Sequence, residues 1–195
     1  MKIFSLLYIL AYIFIRYYIF ETNPFPESVI YGFEAFFVIV GMFVFKFKLP
    51  KLTKINPIGL LSAFVIGGLI FWFTKYKQWN IPLDFKSTQT AFLLLIVAPF
   101  LEEFIFRYAI WEAFERISNY VVSFALTSIA FSASHFYAYF FVPEEYKGFV
   151  IFQTIYTFGL ALACGYQRMK KNSLIPAIAI HFVFNSGFLV AGLLL

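Results

Sequence analysis

Charge is what this sequence has least of. Only 13% of its 195 residues are Asp, Glu, Lys or Arg, and 62% are apolar, against roughly 25% and 45–50% in soluble domains. A water-soluble fold could not hide that much apolar surface, so the composition excludes one and makes lipid the solvent. Cysteine is nearly absent: the single Cys164 rules out an internal disulfide and, lying within an apolar run, reads as a small buried filler. Histidine occurs twice, and no H-E-x-x-H pair sets two imidazoles one turn apart to form half of a zinc site. There is no internal repeat, low-complexity tract or second domain. The net charge of +5 is scattered in short basic clusters between apolar runs, which argues against a nucleic-acid partner and for membrane topology signals.

What is present is aromatic and continuous. Phe, Tyr and Trp make up 24% of the chain, suited to facing acyl chains or sitting at the headgroup level. Seven apolar runs follow one another, near 3–20, 28–45, 57–73, 87–111, 120–141, 148–166 and 173–195. Each approaches the ~20 residues a helix needs to cross the hydrocarbon core. The expected fold is all-α: a multi-pass transmembrane bundle of about seven spanning helices, a single integral-membrane domain over residues 1–195. The first run follows Lys2 as a signal peptide would, but "ETNPFPES" offers no small-x-small cleavage site, so it is expected to be retained.

Lys and Arg near helix ends resist translocation. Lys46, Lys48, Lys51 and Lys54 follow the second run and Arg168, Lys170 and Lys171 the sixth, while Glu21, Glu27, Glu144 and Glu145 mark the other side. This sets the N-terminus in the cytoplasm and the C-terminus outside. The loop carrying Lys75, Lys77 and Lys86 dissents.

Ionisable side chains inside spanning helices cost about 2.5–3.5 kcal/mol each on insertion scales and mostly face cavities or partners. Away from helix ends the chain has Arg16, Glu34, Glu102, Glu103, Arg107, His135 and His181. Residues four apart share a helix face and adjacent ones diverge. Glu103 is therefore expected to pair with Arg107, while Glu102 points elsewhere without a partner in its own helix. His181 and Asn185 again lie four apart and aim two hydrogen-bonding groups at one place. Arg16 and Glu34 read as packing or snorkelling residues.

Convergence of Glu102, His135, His181 and Asn185 from three helices would bring together a carboxylate able to act as general base on water, an assisting histidine, and donors for an oxyanion. Those are the parts for peptide hydrolysis without a covalent acyl-enzyme. Ser132, Ser134, Ser186 and Cys164 have no evident base. Zinc, which Glu and His can ligate, is the lesser alternative, and no cofactor is otherwise expected. At 1.5 Å per residue Glu102 and His181 come out about 10 Å from the cytoplasmic edge, whereas His135 comes out over ~10 Å too deep if its helix enters at Tyr120. The convergence thus predicts that the crossing starts nearer Phe124.

In order along the chain stand "EEFIFR" (Glu102 to Arg107), "FSASH" (Phe131 to His135) and "HFVFN" (His181 to Asn185). Together with "GLALACGYQRMKKNSLIPAIAIHFVFNS", these resemble the motifs of the CPBP or Abi group of intramembrane glutamic endopeptidases, which includes CAAX prenyl proteases. The resemblance covers about residues 90–190, the expected catalytic stretch. It implies that Glu102 activates water with His135 assisting, that His181 and Asn185 form the oxyanion site, and that Glu103 and Arg107 support Glu102. It also implies a membrane-associated protein or peptide as substrate, with or without an attached lipid. The short chain favours a bacterial-type member, hence the bacterial inner membrane. A non-catalytic immunity or accessory protein of the same group is the alternative, and the oligomeric state is not legible.

Overall fold

Lipid offers no partner for backbone N–H and C=O groups, so apolar runs must satisfy them internally, as helices. The computed structural model describes residues 2–19, 27–48, 50 and 52–195, and of residues 19, 27 and 28 the backbone alone. Among these residues there are helices and no strand. Helix α1 is Lys2–Phe14, continued by a π-helical turn, Ile15–Ile19; α2 is Glu27–Phe45 and α3 is Pro57–Tyr76. Helix α4 runs over 88–117 as three α-helical pieces, Thr88–Phe92, Ala98–Phe104 and Trp111–Ile117, joined by π-helical turns at Leu93–Val97 and Ile105–Ile110. Helix α5 is Tyr120–Phe136 with a 3-10 turn, Tyr137–Phe140; α6 is Glu144–Lys171 and α7 is Ile175–Leu194. The topology markers Glu21 and Lys51, and the Glu27 side chain, lie outside the described residues.

The helix ends carry their own chemistry. Asn56 accepts from the Ile58 N–H ahead of Pro57, and Asn119 accepts from the N–H groups of Val121 and Val122, each satisfying donors that a first turn leaves unpaired. Asn172, at φ 48°, closes α6 in the left-handed region that asparagine tolerates.

Large apolar side chains point outward: Phe43 is 82% exposed and Ile58 72%. On a helical bundle this is the face that lipid covers. The protein is a helical membrane bundle, although the count of full spans differs from seven. Among the described residues, Pro57–Tyr76, Tyr120–Phe140, Glu144–Lys171 and Ile175–Leu194 are long and apolar enough to cross a membrane, and the apolar part of α2, Val29–Phe45, is shorter. Helix α4 departs from the expectation because charges and two π turns interrupt it.

Two contacts set the frame around the polar residues. Helices α3 and α7 touch backbone to backbone: a Cβ on Gly67 would collide with the carbonyl of Phe184, and one on Gly187 with that of Phe64. Only a missing side chain permits so close an approach between membrane helices. Helices α4 and α5 are antiparallel across the turn at 118–119, and Glu102 and His135 each lie fifteen residues from it, about 22 Å at 1.5 Å per residue. This sets Glu102 and His135 at one level, as their convergence requires. Helix α5 starts at Tyr120 and α4 continues past Trp111 through the amphipathic "WEAFERI" to Ile117, so the first turns of α5 lie beside that extension.

Candidate active site

Glu102 and Glu103 are adjacent on one helix, so their side chains diverge. Glu103 faces the interior. It is fully buried and lies 3.4 Å (Oε2) from Nε of the equally buried Arg107, one turn on. Its other oxygen, Oε1, is 3.0 Å from Nδ1 of His181 on α7. Glu103 thus bridges Arg107 and His181, a link that sequence spacing does not reveal because it joins residues 78 apart. A carboxylate accepts, so Nδ1 of His181 is the donor and its Nε2 is turned to Glu102, with Oε2 of Glu102 at 3.8 Å.

Arg107 is held on three sides. Besides Glu103 it donates from Nη2 to the Ala161 carbonyl of α6 at 3.2 Å, and its guanidinium lies over the Phe131 ring, 4.5 Å from the centroid. Phe131, wholly buried, also meets the rings of Phe106 at 5.2 Å, His135 at 4.9 Å and His181 at 5.8 Å. The phenylalanine one turn before His135 is therefore the apolar post against which both histidines and Arg107 are set.

His135 makes its hydrogen bond through Nδ1 to the Phe131 carbonyl at 2.9 Å. A carbonyl only accepts, so Nδ1 carries the proton and the neutral ring keeps its lone pair on Nε2. Asn185 donates from Nδ2 to the Leu94 carbonyl of α4 at 2.8 Å. Glu102, His135, His181 and Asn185 all line one cavity of about 390 Å³, shared with Phe131 and with apolar residues such as Leu94 and Phe188. Oε2 of Glu102 is buried there without a hydrogen bond from the described residues.

A second cavity of about 270 Å³ also reaches Glu102 and His135, and is lined by Arg16, Tyr17, Glu34 and Ser134. Here sequence reasoning fell short. Arg16 and Glu34 form an ion pair across α1 and α2 (Nε to Oε1, 2.9 Å), and Glu34 borders both cavities. Opposite charges on successive apolar helices were the available signal. Of the serines, Ser134 has a histidine near it, its Oγ 3.5 Å from His135 Nδ1, the nitrogen that faces the Phe131 carbonyl. Ser132 donates to the Thr154 carbonyl, Ser134 to that of Phe131 and Ser186 to that of Phe182, while Cys164 is buried with Sγ 3.5 Å from the Ala177 carbonyl.

A family model described as type II CAAX prenyl endopeptidase Rce1-like matches residues 84–187, just over half of the chain. The chain belongs to this family. The matched stretch begins just before α4 and runs into α7, so it takes in Glu102, His135, His181 and Asn185, while Glu34 of α2, which also borders the cavity, lies outside it. Members of the Rce1-like family are membrane endopeptidases, and an integral-membrane hydrolase acting on a membrane-associated substrate is the reading that membership supports. No curated protein and no solved structure matches the chain.

Proposed function

We propose that this protein is an intramembrane endopeptidase in which Glu102 acts as general base on water, with His135 assisting and His181 and Asn185 donating to the oxyanion. What carries the reading is the cavity itself: Glu102, His135, His181 and Asn185, from α4, α5 and α7, border one space in a largely apolar bundle. The four roles follow from the donors and acceptors on hand. Glu102 Oε2 is an acceptor without a donor among the described residues, and Nε2 of His135 is a second, positioned by its Nδ1 bond. A water between them would be polarised from two sides and could deliver hydroxide to a peptide carbonyl.

His181 supplies the opposite function. With Nδ1 donating to Glu103, Nε2 faces Glu102 and serves as a donor when it too carries a proton, the Glu103 carboxylate then lying beside the charge. Asn185, one turn further along α7, has a second N–H beyond the one given to Leu94. Each oxyanion donor of this kind is typically worth about 2.7–4 kcal/mol. Arg107 holds Glu103, and Glu103 holds His181. No step needs a metal, so activity should persist in chelator.

The substrate is a membrane-associated protein or peptide. The apolar walls formed by Leu93, Val97, Phe149, Leu160 and Phe188 suit a prenyl or acyl chain. The lysines after α2 and at the end of α6 favour a cytoplasmic N-terminus, the proposed location is a bacterial inner membrane, and residues 1–195 are read as one domain with its catalytic parts in about 90–190. The test is cleavage of a farnesylated reporter peptide by the protein in proteoliposomes, with and without chelator. His135→Ala is expected to lower kcat by about 10²–10⁴-fold. A His135→Ala protein that cleaves at the wild-type rate would remove His135 from the chemistry.

A further inference from the structure

Helix α4 contains a proline in its interior, and what the surrounding backbone does there bears on Asn185. Pro99 is fully buried, within the apolar helix just before Glu102. A proline so placed has no N–H, and its ring crowds the carbonyl four residues back. The helix answers with a π-helical turn at Leu93–Val97, in which the Ala98 N–H donates to the Leu93 carbonyl. The Leu94 carbonyl then loses both usual backbone donors. The N–H four residues on is committed to Leu93, and the residue five on, the π-helical partner, is Pro99. A carbonyl without a donor in an apolar setting is costly even where it is only partly buried. The Nδ2 group of Asn185, from α7, supplies one at 2.8 Å.

This bond decides which way the Asn185 amide faces. An asparagine side chain turned by 180° has nearly the same shape but exchanges donor for acceptor. Since the Leu94 carbonyl only accepts, the flipped amide would set two oxygens against each other, and Nδ2 is fixed toward α4. Its second N–H then remains a donor beside His181, and Asn185, only 8% exposed, lines the cavity with it. Resting on the reading of Asn185 as an oxyanion donor, we propose that Pro99 is a positioning residue for catalysis: by leaving the Leu94 carbonyl without a backbone donor, it locks the Asn185 amide in the orientation that offers N–H to the reacting carbonyl oxygen.

Pro99→Ala restores an N–H at position 99, letting the backbone satisfy Leu94 and releasing the amide. The test combines Pro99→Ala, Asn185→Ala and the double variant in proteoliposomes, measuring thermal unfolding and cleavage of the farnesylated reporter. In the parent, Asn185→Ala is expected to lower Tm; in the Pro99→Ala background the same change is expected to leave Tm nearly unchanged. Pro99→Ala alone is expected to lower kcat about tenfold or more with KM unaltered, and the double variant to be no slower than Asn185→Ala. Equal Tm losses in both backgrounds would overturn the clasp, and a wild-type kcat in Pro99→Ala would overturn its catalytic consequence. A coupled Tm response with a wild-type kcat in Asn185→Ala would instead overturn the oxyanion role on which the proposal rests.

Discussion

Replacing Arg107 by Met isolates the energetics of the buried polar chain. Arg107 is fully buried, its Nε 3.4 Å from Glu103, its Nη2 bonded to the Ala161 carbonyl and its plane over Phe131. Methionine fills much of the volume and keeps contact with the ring, so the loss is mainly electrostatic. Glu103 is left in the core with His181 Nδ1 and the weak donor Cys164, and without its cation. Removing one member of a buried pair costs about 3–5 kcal/mol, because the remaining charge is desolvated and uncompensated. For a chain of this size that is roughly a 6–20 °C fall in Tm. Removing both charges is different: replacing a buried pair with apolar groups is often neutral or stabilising. Arg107→Met combined with Glu103→Leu should therefore recover most of the lost stability while abolishing cleavage, since His181 loses its Glu103 partner. Thermal unfolding in nanodiscs, followed by intrinsic fluorescence, measures both variants. A loss under about 1 kcal/mol in the single variant, or additive losses in the double, would refute the bridging role given to Glu103.

Gly187→Ala should destabilise by about 1–3 kcal/mol, the usual cost of overpacking, because its Cβ meets the Phe64 backbone rather than a movable side chain. The same change should lower cleavage by shifting α7, and unaltered unfolding would show that α3 and α7 have room to spare. The cavity extends toward Leu83, Thr90, Phe149 and Phe188, away from the end that carries Lys46, Lys48, Arg168 and Lys170. With the N-terminus in the cytoplasm, Ser87→Cys in a Cys164→Ala background should react with an impermeant maleimide from outside the cell and Lys170→Cys should not. The reverse labelling would turn the bundle over and open the cavity to the cytoplasm.

The helices and the one-turn pairings were legible because both follow from local rules. Apolar runs in lipid must be helical, and four-residue spacing sets Glu103 with Arg107 and His181 with Asn185. What escaped the sequence depends on where helices end and on how they meet. Helix α4 outlasts its apolar run because "WEAFERI" is amphipathic, and the first turns of α5 lie beside that extension, which levels Glu102 with His135. The Glu103 to His181 bond and the Arg16 to Glu34 pair join different helices, so neither has a spacing to read. The attachment of Asn185 to a backbone carbonyl depends on a π turn, and the proline that provokes it is visible in the sequence while the carbonyl it strands is not.

The central claim is that Glu102 is the base, and Glu102→Gln tests it most directly. The amide keeps the shape of a side chain whose Oε2 has no donor bonded to it, so folding should be preserved and unfolding should match the parent. Single-turnover cleavage of the farnesylated reporter in proteoliposomes should fall by about 10²–10⁴-fold, the usual worth of a general base. A Glu102→Gln protein that folds normally and cleaves at the parent rate would contradict the account.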